Sequence, residues 1–204
     1  LHGSDTMAYT ASALSFMFEH LNKPIIFTGS QLPIGITRTD AKENLITSIE
    51  IAARKNLRGK PLIHEVCIYF EYHLYRGNRT TKQSASQFEA FVSPNYPPLG
   101  EAGVDLKFEK KYLMKAPRLP IHLHTDLDTN VVDIKLFPGM QAKHLRHMLE
   151  TPGLKCAVIE TFGSGNAPTA QPFLEALKEA KDRGVHLVNV TQCVRGRVQM
   201  GRYE

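Results

Sequence analysis

Short apolar runs alternate along the chain with stretches whose apolar residues recur every three or four positions, and this alternation predicts an α/β fold. Residues 7–21 read as a helix, with Leu14, Met17, Phe18 and Leu21 at helical spacing. A buried strand is expected over 24–29 (Pro24-Ile25-Ile26-Phe27-Thr28-Gly29), a second helix over 41–54 carrying Leu45, Ile46, Ile49 and Ala53, and a second strand over 65–70. The polar, hydroxyl-rich stretch 72–98 reads as a long loop, and loops of that length inside compact domains are usually functional.

The pattern changes over 107–128, where basic residues, Pro117, Pro120 and His122-Leu123-His124 follow one another. Residues 116–128 are expected to connect two domains. Beyond them, strands at 131–137, 156–161 and 185–190 alternate with helices at 142–149 and 172–183, a self-contained βαβαβ unit in which Arg183-Gly184 is a helix stop. Two domains follow: an open, mostly parallel sheet over 1–115 and a smaller α/β domain over 129–204.

Composition narrows the class. The 204 residues are 42% hydrophobic and 22% charged, with 14 glycines and 12 prolines, which excludes collagen-like and low-complexity chains. No apolar stretch approaches the roughly 20 residues of a membrane span. A net charge of +5 is mild, and the one basic cluster, 54–60, sits where a helix ends, so no nucleic-acid partner is expected. Three cysteines do not make a disulfide framework; Cys67 and Cys156 lie in apolar runs as small hydrophobes, which points to a reducing compartment.

Three polar clusters stand where strands or loops meet helices. Ser4-Asp5-Thr6, behind Gly3 and just before the first helix, is either an N-cap or a site. Tyr75-Arg76-Gly77-Asn78-Arg79-Thr80-Thr81-Lys82 follows an apolar strand; Lys82 is a candidate general base or orienting charge, the alternative being a solvated basic loop. Thr161-Phe162-Gly163-Ser164-Gly165-Asn166 brackets a sharp turn and fits neither a nucleophile elbow nor a dinucleotide loop. His122 with His124, and His144 with His147, have no Cys or carboxylate at ligand spacing, so no metal is expected.

At these stretches the chain resembles the L-asparaginases, in particular their type I cytosolic branch. The matching text is His2-Gly3-Ser4-Asp5-Thr6-Met7-Ala8-Tyr9, Thr28-Gly29-Ser30-Gln31-Leu32-Pro33, Arg76-Gly77-Asn78-Arg79-Thr80-Thr81-Lys82, Ser93-Pro94-Asn95, Phe162-Gly163-Ser164-Gly165-Asn166-Ala167-Pro168 and Thr191-Gln192-Cys193, in order along nearly the whole chain. The resemblance implies hydrolysis of L-asparagine to L-aspartate and ammonia through an acyl-enzyme, without metal or cofactor. It places Ser4, Asp5 and Lys82 in the catalytic set. Asp5 also meets the substrate ammonium, and Ser30 and Gln31 lie near the substrate amide. Asn166 reaches a neighbouring subunit's site, so a homodimer or homotetramer with shared sites is implied, in the cytoplasm.

The Thr-Gly-Gly-Thr stretch that carries the family's usual nucleophile is absent from these 204 residues. Both domains are therefore expected to be partial here, and the chain alone to be inactive. Ser4 stands where the family more often has Thr, keeping the hydroxyl without the β-branch that stiffens χ1. Two rival readings are the amidase subunit of a tRNA amidotransferase and a non-catalytic amino-acid-binding relative.

Overall fold

The computed structural model describes residues 3–199 and residue 201. The chain divides into two compact units, Leu1–Thr125 and Asp126–Glu204. The first runs α1 (Met7–Met17), β1 (Phe18–Glu19), β2 (Ile25–Phe27), α2 (Ala41–Ala53), β3 (Val66–Phe70), β4 (His73–Arg76), a 3₁₀ turn (Gly77–Arg79), β5 (Thr81–Lys82), β6 (Phe91–Val92), β7 (Gly100–Ala102), β8 (Leu106–Phe108) and β9 (His122–Leu123).

Five of these strands form an open sheet in the order β2-β3-β4-β7-β8. Here the expected mostly parallel sheet is corrected. Only β2 and β3 pair in parallel; β3–β4, β4–β7 and β7–β8 are antiparallel. The cause is local. Glu71 and Tyr72, the two residues between β3 and β4, both have left-handed φ (47° and 68°), the backbone of a two-residue hairpin turn of type I′. The chain thus doubles back where the sequence pattern reads as a loop, and 72–98 supplies β4, β5 and β6.

β3 is buried along its whole length, which explains its unbroken apolar run. Val66, Ile68 and Phe70 share one core cluster with Met7 and Ala11 of α1, while Cys67 and Tyr69 share another with Ile51, Ile63, Leu74 and Leu99. The 3₁₀ turn lies directly on α1. A Cβ added at Gly77 would stand 3.0 Å from the Val66 carbonyl oxygen and 3.1 Å from the Ala11 Cβ, so only glycine allows this approach. That contact sets where the chain emerges toward Lys82.

α2 faces the core differently from its apolar pattern. Its buried residues are Asn44, Ser48 and Ile51, whereas Leu45, Ile46 and Ile49 are exposed. Hydrogen bonds, rather than the widest apolar stripe, orient this helix. β9 lies within 116–128 and pairs antiparallel with β1, Glu19 opposite His122.

The second unit runs β10 (Val131–Lys135), α3 (Ala142–Leu149), β11 (Cys156–Thr161), α4 (Gln171–Asp182) and β12 (His186–Thr191). Its three strands form a parallel sheet in the order β10-β11-β12. Leu145 and Leu149 of α3 and Phe173, Ala176 and Ala180 of α4 close over Ile134, Ala157 and Ile159. The helices alternate with the strands as the parallel connections require.

Candidate active site

Ser4 and Asp5 occupy the turn that leads into α1, and Lys82 ends β5, opposite Phe91 of β6. Lys82 Nζ donates to Ser4 Oγ at 2.9 Å and to Asp5 Oδ1 at 2.7 Å, joining residues 78 and 77 positions apart. His2 of the same motif lies outside the described residues. The N-cap alternative is not what these side chains do: Thr6, at the N-cap position, makes no side-chain capping bond, and Ser4 and Asp5 turn to the lysine instead.

The lysine side chain is only 18% exposed, while that of Asp5 is 93% exposed. The hydrogen bond from Lys82, and then its charge, hold the Asp5 carboxyl below the usual aspartate range. A pair with so exposed a carboxylate adds little stability. Its consequence is geometric, since Nζ is held against a hydroxyl oxygen. Beside it opens a depression of about 620 Å³ lined by Asp5, Tyr9, Ser12, Thr81, Lys82 and Ser84.

Ser30 and Gln31 follow β2 and stand outside the lining of that depression. The end of β2 nonetheless lies close to the first motif: a Cβ on Gly29 would meet the Gly3 nitrogen at 3.9 Å and the Met7 methyl at 3.0 Å. Gln31 Nε2 donates to the Gln87 carbonyl at 2.7 Å, while its backbone N–H donates to the Asp40 carboxylate. Asp40 and the fully buried Asn44, which hold the turn carrying these two candidate residues, were missed by sequence reasoning. The available signal was two polar residues four apart within a helical pattern.

The segment leading to Lys82 is anchored by a buried ion pair. Arg76 Nε meets Glu65 Oε2 at 2.5 Å, with side-chain exposures of 14% and 3%. Arg76 also donates to the Tyr112 carbonyl at 2.8 Å and lies 4.4 Å over the Tyr96 ring, and Met114 N–H donates to Glu65 at 2.7 Å. Burial, with a smaller contribution from Glu89, pushes the neighbouring Tyr75 hydroxyl up to about 12.

Asn166 belongs to the second unit. Phe162 and Asn166 exchange backbone hydrogen bonds at 2.9 Å across a tight turn through Gly163 and Gly165, both at positive φ, and the asparagine is exposed. Thr191 Oγ1 donates to the Gly163 carbonyl, and Asn189 Nδ2 to that of Gly165, fastening the turn to β12. Among the described residues, no three His, Cys, Asp or Glu side chains are grouped to hold a metal ion, and no helix is long and apolar enough to cross a membrane.

Comparison with known proteins places both halves of the chain in one family. The family model described as "Asparaginase, N-terminal" matches residues 1–113, and that described as "Glutaminase/Asparaginase C-terminal domain" matches 130–204. L-asparaginase 1 of Escherichia coli strain K12 is 46% identical over 207 aligned residues, covering all of this chain and 58% of that protein. A 60 kDa lysophospholipase of Mus musculus is 43% identical over 97% of the chain, which covers 34% of it. The crystal structure of L-asparaginase I from Vibrio cholerae superposes with a TM-score of 0.90 at 42% identity, over 98% of this chain and 59% of that one. The chain thus spans somewhat more than half the length of these asparaginases. With both halves matched and the fold superposed, the chain belongs to the asparaginase family.

Proposed function

We propose that the protein hydrolyses L-asparagine to L-aspartate and ammonia, with Ser4, Asp5 and Lys82 as one catalytic unit. A hydroxyl oxygen attacks the side-chain carboxamide carbon, its proton passes to the leaving nitrogen, ammonia departs, and water then cleaves the acyl ester. Lys82 positions the Ser4 hydroxyl and relays its proton, and Asp5 holds Lys82 and meets the substrate ammonium. This is the arrangement of nucleophile, base and orienting group that acyl transfer requires. Ser30 and Gln31 lie near the substrate amide in this reading.

The observation that carries the proposal is the lysine bridge from Nζ to both Ser4 Oγ and Asp5 Oδ1. The name of the E. coli relative supports the substrate. Exposed Asn166, held on a stiff turn, is proposed to reach a neighbouring subunit's site in a cytoplasmic homodimer or homotetramer. The test is ammonia release from L-asparagine by the full-length protein and by its Ser4→Ala variant. Turnover that disappears in the variant supports the reading; equal turnover in both refutes it.

A further inference from the structure

The turn after β2 is held from the inside by two polar side chains. Asp40, 9% exposed, accepts the Gln31 backbone N–H with both carboxylate oxygens, at 3.1 and 2.9 Å, and the Leu32 N–H at 3.0 Å. Asn44, with no exposed surface, donates through Nδ2 to the Gly29 carbonyl at 2.9 Å and to Asp40 Oδ2 at 3.3 Å. Its Oδ1 accepts the Glu71 N–H at 3.2 Å. The end of β2, the start of α2 and the β3–β4 turn therefore meet on a single amide.

Helix packing alone does not call for such a residue. A fully buried amide is costly unless its donors and acceptor are paired. Here they are paired, and the partners belong to the Gly29–Leu32 turn and to the left-handed turn beside it. α2 meanwhile leaves Ile46 and Ile49 exposed while Asn44 faces inward. Apolar contact on the inner face has given way to polar control of the turn.

We infer that Asn44, acting directly on Gly29 and through Asp40, is the positioning residue that fixes the Ser30–Gln31 turn, whose Gly29 end lies near Gly3, and so sets how tightly the site holds the amino-acid substrate. Neither residue touches the reacting atoms. The inference rests on the reading of Ser30 and Gln31 as substrate contacts. It separates binding from chemistry, because Lys82 is tied to Ser4 and Asp5 through bonds that do not involve the turn.

The test compares, in the full-length protein, Asn44→Ala and Asp40→Asn with Ile51→Val, a buried change on the same helix within a core cluster that does not include the turn. Steady-state kinetics with asparagine are run beside calorimetry with aspartate, the latter also in a Lys82→Met background where turnover does not interfere. Asn44→Ala is expected to raise KM and to weaken aspartate binding by about tenfold, as loss of a well-formed buried hydrogen bond does. The kcat is expected to stay within about threefold, since the proton-handling groups are untouched. Asp40→Asn, which keeps an acceptor oxygen, is expected to give a smaller shift in the same direction, and it carries the test if Asn44→Ala does not fold. Ile51→Val is expected to lower the melting temperature and leave KM unchanged. If Asp40→Asn and Asn44→Ala lose stability but keep the KM and aspartate affinity of the Ile51→Val control, the network only holds the fold and the inference is overturned. Failure of the unsubstituted protein to bind aspartate at all would instead refute the underlying site reading.

Discussion

Replacing Arg76 by Met is expected to damage the first unit more than any exposed charge change would. The substitution keeps most of the apolar stem and removes the guanidinium. Among the described residues, Glu65, whose side chain is 3% exposed, would then keep only the Met114 N–H at 2.7 Å as a charged or amide partner. Burial opposes the Arg76 charge, yet the hydrogen bond and charge of Glu65 hold its pKa above the ordinary value, so the two groups depend on each other. Removing one member of such a pair costs about 3–5 kcal/mol, because the other charge is left buried and uncompensated. For a protein of this size that corresponds to a fall in Tm of roughly 6–20 °C. Calorimetry or circular dichroism on Arg76→Met, Glu65→Met and the double variant would measure it. The double variant is expected to recover to within about 1.5 kcal/mol of the parent, since no orphaned charge remains. A loss below about 1 kcal/mol in Arg76→Met would mean the pair behaves as an exposed one, and the reasoning would be refuted.

Three other outcomes follow from particular contacts. Replacing Glu71-Tyr72 by Asn-Gly should stabilise the protein by roughly 1–2 kcal/mol in urea titration, because both positions are left-handed and the new pair suits a type I′ turn; a loss of stability would contradict this. The Asp5 carboxyl is held low by Lys82, so the contribution of the link is present above pH 3.8 and is lost only as pH falls through the lower folded value. Carboxyl NMR should therefore show the Asp5 midpoint rising in Lys82→Met, and an unmoved midpoint would deny the contact. Mixing Asn166→Ala subunits with Lys82→Met subunits should restore activity that neither has alone, since a hybrid oligomer can hold an intact composite site; no recovery after verified exchange would count against a shared site.

The second unit was legible because its strands and helices differ plainly in period and are set off by Pro and Gly, and its elements fall where the pattern puts them. The hairpin at Glu71-Tyr72 was not, because neither residue is the Asn or Gly that normally announces left-handed backbone. A strand return therefore read as a loop, and a mostly antiparallel sheet as a mostly parallel one. The inner face of α2 was not legible either, for a related reason. Apolar spacing marks Leu45, Ile46 and Ile49, but buried hydrogen bonds at Asn44 decide which face turns inward. Ser4, Asp5 and Lys82 were each visible as chemistry-bearing residues in their own segments. Only family resemblance, and not local pattern, brought Lys82 to the other two across almost 80 positions.

The measurement that bears most directly on the account is kcat for asparagine hydrolysis by Lys82→Met in the full-length protein, followed as ammonia release beside a stability check. Methionine keeps the length and the apolar stem and removes the nitrogen that touches Ser4 and Asp5. If the three residues are one catalytic unit, kcat falls by at least about 10²-fold while the fold survives, in line with what a positioned acid–base group contributes. Lys82→Arg should fail nearly as badly, because a guanidinium keeps the charge but cannot accept the proton. A folded Lys82→Met protein whose kcat stays within a few-fold of the parent would contradict the account: Lys82 would then be a loop charge, and Ser4 and Asp5 would have to act without it.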